Sequence, residues 1–129
     1  MSRTDVYGIT DTLDDGTLQV LVERLEARAK HMKFAAMLSE YLELMQVDAA
    51  QRVLDVGCGA GVVARTLARR HAFHGKVTAI DLSAYLVRAG QRLAQAEGVA
   101  ERIEFLVGDT QQLKLPDAGF DAAIAHTLL

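Results

Sequence analysis

The chain has 129 residues, 50% of them apolar and 24% charged, the balance of a globular domain with a real core rather than of a disordered or fibrous chain. Acidic side chains outnumber basic ones 17 to 14, for a formal charge of -3, and no run of Lys or Arg offers generic attraction to nucleic acid. The single cysteine, Cys58, allows neither an internal disulfide nor by itself a structural zinc site, so the cytoplasm is the expected compartment. The acid-rich N-terminus, with Asp5, Asp11, Asp14 and Asp15 beside Arg3, reads neither as a signal peptide nor as a membrane span.

Residues 1–17 carry Gly8, Gly16 and few apolar side chains, which predicts a loose arm with a turn at Asp14-Asp15-Gly16. From Leu18 to Met45 apolar residues recur at helical spacing without Pro or Gly, as one bent helix or two consecutive ones. Met32, Met37 and Met45 in this stretch are expected in the core, a lid over a ligand being the alternative. After Met45 the pattern changes to strand, turn and helix in alternation. The strands are expected at Arg52 to Val56, Lys76 to Ile80, Ile103 to Val107 and Phe120 to Ala125, apolar enough for a parallel sheet covered on both faces. A first helix runs from about Gly61 to Arg70, with Val63, Ala64, Leu67 and Ala68 toward the sheet. A second follows Ser83 as N-cap and ends at Glu97, where Gly98 supplies the stop. Pro116 and Gly119 punctuate the approach to the fourth strand.

The chemistry gathers in the turns. Asp55-Val56-Gly57-Cys58-Gly59-Ala60-Gly61 runs from a strand into three alternating glycines and a helix, where bare backbone approaches a ligand closely and amides face it. A dinucleotide fingerprint, G-x-G-x-x-G, would need its third glycine at Val62, one residue beyond Gly61. Asp81, at the tip of the second strand and 20 residues after Gly61, is placed to accept hydrogen bonds from the ribose hydroxyls of an adenosine, with a capping role for the next helix as the alternative. Cys58, between two ligand-facing glycines and without an evident base nearby, reads as a small filler rather than a nucleophile. His31, His71 and His74 show no metal-ligand spacing and are expected at the surface; no metal site is predicted.

These motifs resemble those of the class I S-adenosylmethionine-dependent methyltransferases, whose E/D-x-G-x-G-x-G signature Asp55 to Gly61 fits, and in particular the small-molecule methyltransferases of the ubiquinone-biosynthesis type. The resemblance covers about Val53 to His126. It implies an α/β, Rossmann-like doubly wound parallel sheet, here partial with strand order 3-2-1-4, after an N-terminal helical segment. Residues 1–50 are then the arm and helical segment, and 51–129 the cofactor half-domain, cut after the fourth strand. By the same resemblance Gly57, Cys58, Gly59 and Gly61 contact S-adenosylmethionine, Asp55 holds its amino group directly or through water, Asp109 accepts from the adenine amino group, and Thr110 or Leu82 flanks the ring. His126, at the end of the fourth strand, falls at the reaction edge as a general base, a cofactor ligand or a strand cap. Tyr7 and Arg28 are further candidates for reaching the site from the N-terminal segment.

Methyl transfer from a sulfonium is an in-line displacement by an already activated donor, so it needs alignment and desolvation more than an acid-base pair. The expected function is methyl transfer to a small-molecule acceptor, with a non-catalytic S-adenosylmethionine-binding module and an NAD-binding oxidoreductase fragment as alternatives. The chain is expected to be a fragment. In it the fourth strand is an apolar edge with Ile124, Leu128 and Leu129 poorly covered and prone to self-association.

Overall fold

The computed structural model describes residues 14–109 and 119–125. Helix α1 spans Asp15–Lys30 and begins within the expected turn, ahead of Leu18, because Asp14 is its N-cap: the Thr17 N–H donates to Asp14 Oδ1 at 2.7 Å. Helix α2 follows at Met32–Leu44. His31 separates the two with an extended backbone, closing α1 and opening α2 by accepting from the Lys33 N–H through Nδ1. The apolar stretch therefore forms two helices, and its continuous spacing conceals the break because no Gly or Pro marks it.

The remaining elements are β1 (Arg52–Val56), α3 (Val62–Arg69), β2 (Lys76–Asp81), α4 (Ala84–Ala96), β3 (Ile103–Val107) and β4 (Ala122–Ala125). The sheet is parallel with order β3-β2-β1-β4, the order expected. β2 is one residue longer than expected, so Asp81 itself is its last residue. β4 starts two residues later, since Asp121 is used otherwise. Its Oδ2 accepts from the N–H groups of Gln51 and Arg52 at 2.7 and 3.0 Å, which strap the entry of β4 to that of β1. Those two bonds hold the Asp121 carboxyl below its ordinary pKa.

One face of the sheet, carrying Val53, Val77, Ala79, Ile103 and Ile124, is buried with Leu38 and Leu42 of α2, Val63 and Leu67 of α3, Val47 and Phe73. Each fully buried Leu or Phe there contributes about 1.5–3 kcal/mol. Ile124, expected to be poorly covered, is 1% exposed: it pairs with Asp55 on the face packed in this core. On the opposite face Leu54, Val56 and Leu106 are half-buried and Ala123 and Ala125 exposed. The methionine stripe is not core. Met32 is 83% exposed, and Met37 and Met45 also face outward, because Leu38 and Leu42 supply the inward stripe of α2.

Two junctions set the helices. At the lower end of α3, Arg70 grips Asp48 with two bonds of 2.7 Å and donates to Ser39 Oγ, tying α2 to α3. In the middle of α4, Gly90 permits close packing. A Cβ there would lie 2.7 Å from Phe105 Cε1 and 2.8 Å from the Ala60 carbonyl oxygen. Gly90→Ala sets a helix-propensity gain of about 1 kcal/mol against overpacking of about 1–3 kcal/mol. The second prevails because one of the atoms met is backbone. The variant is expected to unfold at lower denaturant, as urea titration followed by circular dichroism would show.

Candidate functional site

Parallel pairing brings the carboxyl ends of β1, β2 and β3 to one edge, where open α/β sheets bind their ligands. Val56 pairs with Ile80, and Asp81 with Val107. The chain leaving β1 turns over the end of β2: the N–H groups of Gly57 and Cys58 both donate to the Ile80 carbonyl, at 2.8 and 2.9 Å. Gly57, Gly59 and Gly61 have φ of 70°, 58° and 83°, the left-handed region that costs any residue with a Cβ. Gly61 also meets the edge of Phe105, which a Cβ would approach to 3.0 Å. The glycines are thus required by the turn itself.

Asp81 anchors the turn from β2. The Gly59 N–H donates to its Oδ1 at 3.1 Å and the Ser83 N–H to its Oδ2 at 2.9 Å. Ser83 in turn caps α4, its Oγ accepting from the Leu86 N–H. Asp81 thus braces the residue that caps α4 while also holding the glycine turn. Gly108 donates its N–H to the Asp81 carbonyl at 2.9 Å, which brings half-buried Asp109 to the same edge. Leu82, also half-buried, lies beside them.

Asp55 is the exceptional group. It is 2% exposed, and its Oδ2 is buried without a hydrogen-bond partner. Burial, and then the charge of Asp81, raise its pKa from 3.8 to about 7. A buried carboxyl with an empty acceptor position calls for a cation or a donor.

Cys58 is buried, its Sγ donating to the Gly59 carbonyl at 3.3 Å. Burial first, then Asp55 and Asp81, push its pKa far up, so it stays a neutral filler rather than a nucleophile. Arg28 does not point to the site; its guanidinium lies over the Phe34 ring at 5.6 Å. His31, His71 and His74 are exposed, and no metal-binding cluster occurs among the described residues. Tyr7, Thr110 and His126 lie outside the described residues. Arg65 and Gly90 escaped the sequence reading. A glycine within a helical run was a signal for Gly90, whereas nothing local marks Arg65.

Comparison with known proteins agrees with this architecture. A methyltransferase domain family matches residues 53–129. Among curated proteins, an uncharacterized methyltransferase of Mycobacterium bovis is 42% identical over 89 residues, covering 68% of this chain and 41% of that protein. A sterol 24-C-methyltransferase of Aspergillus fumigatus is 32% identical over 100 residues, covering 78% and 24%. The chain thus spans a quarter to two fifths of the length of these relatives. The structure of an S-adenosylmethionine-dependent methyltransferase from Thiobacillus denitrificans, in complex with S-adenosyl-L-homocysteine, superposes with a TM-score of 0.59 at 34% identity, covering 68% of this chain and 34% of that one. With the glycine turn, the two buried aspartates and the 3-2-1-4 sheet, these matches show that the chain belongs to the class I S-adenosylmethionine-dependent methyltransferase family.

Proposed function

We propose that this chain supplies the S-adenosylmethionine-binding half of a cytoplasmic methyltransferase acting on a small molecule. The observation that carries the reading is the buried Asp55 Oδ2 without a partner, under three left-handed glycines and beside Asp81. S-adenosylmethionine supplies an activated methyl group and carries an ammonium that suits Asp55. Asp81 then takes the ribose hydroxyls, Asp109 the adenine amino group, and Leu82 and Thr110 the ring faces, while Gly57, Cys58, Gly59 and Gly61 present backbone. Reaction requires the acceptor in line with the methyl group and shielded from water. His126, which follows the last residue of β4, is our candidate for contact at the reacting edge. Similarity to a sterol methyltransferase supports a small apolar acceptor.

Calorimetric titration tests the reading directly. S-adenosylhomocysteine is expected to bind and NAD is not; preference for NAD, or no heat with S-adenosylhomocysteine, would overturn it. Asp81→Ala should weaken binding by about 1–3 kcal/mol, and unchanged affinity would remove its ribose role.

Asp55 generates a second prediction with opposite signs for binding and stability. A cation is held by the ionised carboxylate, so affinity should fall as the pH drops below about 7, by about tenfold per unit in the limit. Binding there should release a proton. In the unliganded chain the same group is more readily protonated folded than unfolded, so its favourable contribution is complete in acid and is lost as pH rises through about 7. Asp55→Asn should therefore stabilise the unliganded protein at pH 8 by roughly 2–4 kcal/mol, converge with the parent near pH 4, and bind S-adenosylhomocysteine weakly and without pH dependence. Thermal melts and titrations at several pH values check both halves.

A further inference from the structure

Helix α1 lies across the glycine turn. Val22 packs in a cluster with Ala60, Leu86 and Ala89, and one turn later Glu26 Oε2 accepts from Arg65 Nη2 at 2.5 Å. Arg65 is 2% exposed and sits on α3 directly beneath the turn. Its Nη1 donates to Glu97 Oε2 at 2.6 Å, and its Nε donates to the Ala60 carbonyl at 3.2 Å. Glu97 is the C-cap of α4, and its other oxygen accepts from Arg69. One guanidinium therefore joins the N-terminal helix, the end of α4 and a carbonyl in the middle of the turn.

That carbonyl also has little free space toward α4, where a Cβ on Gly90 would come within 2.8 Å of it. A guanidinium is a planar fork with fixed donor directions, so the two carboxylates that hold its outer nitrogens also aim its Nε. Its burial depends on both, because a charge without partners in the interior is costly. The contrast is at the other end of α3, where Arg70 grips Asp48 just as closely and touches no residue of the turn.

We propose that Arg65 is a positioning residue for the cofactor turn: held by Glu26 and Glu97, it sets the orientation of the Ala60–Gly61 peptide. The seating of α1 thereby governs cofactor affinity. The proposal rests on the reading that the turn holds S-adenosylmethionine, but the turn's own order can be measured without it.

The test uses the full chain with Glu26→Ala, Glu26→Gln and, as control, Asp48→Asn, each confirmed folded by circular dichroism. Hydrogen exchange of the amides of residues 57–64 is read without ligand, and S-adenosylhomocysteine affinity by calorimetry. Glu26→Ala is expected to speed exchange at the turn and to weaken affinity, each by about fivefold or more. Glu26→Gln, which keeps the acceptor oxygen, should recover most of both, and Asp48→Asn should change neither by more than about twofold. Should Glu26→Ala fail to fold, Arg65→Lys serves in its place: it keeps the charge but cannot reach all three acceptors, and the same loosening is expected. Unchanged turn exchange in the Glu26→Ala or Arg65→Lys variant, or equal loosening in Asp48→Asn, would overturn the proposal. A parent chain that binds no S-adenosylhomocysteine would instead refute the functional reading, while the exchange data alone still decide for or against the clamp.

Discussion

The site hangs on one junction, the donation of two successive amides, those of Gly57 and Cys58, to the carbonyl of Ile80. It ties the exit of β1 to the end of β2 and brings Asp55 and Asp81 close enough for the charge of one to raise the pKa of the other. Without that tie the glycines would be an ordinary flexible loop. With it, the turn has a fixed shape, two buried carboxyls beneath it and a helix starting from its far side. Two like charges in the interior are costly, and the raised pKa of Asp55 is the expression of that cost, since it favours the neutral carboxyl.

Much of this was legible in the chain itself. Strand positions followed from short β-branched runs whose apolar character survives in any parallel sheet, and three of the four both began and ended within one residue of where they were expected. Ser83 and Gly98 marked α4 because capping is local chemistry. The glycine spacing separated two cofactor classes that share an acid at the tip of the second strand. The information was local, and so was the structure it described.

What escaped was decided at a distance. Whether Met32, Met37 and Met45 face inward depends on which stripe of α2 meets the sheet, and Leu38 and Leu42 took that place. The break at His31 rests on a side-chain cap that hydrophobic periodicity does not encode. Arg65 looks like any surface residue of an amphipathic helix until Glu26 and Glu97, 39 and 32 residues away, are seen beside it. Asp55 was named from its motif, but its missing partner and raised pKa are properties of the assembled interior.

The strap formed by Asp121 bears on the order in which the molecule assembles. It joins backbone 70 and 69 residues away, whereas β1, α3 and β2 form a continuous unit of 30 residues. Closing the longer loop carries the larger entropic cost, and non-local pairings delay folding. The β1-α3-β2 unit, which contains the glycine turn and both buried aspartates, is accordingly the natural nucleus, with β4 docking onto a surface already formed. The part of the chain that recognises the cofactor is then also the part on which the remainder of the sheet is templated.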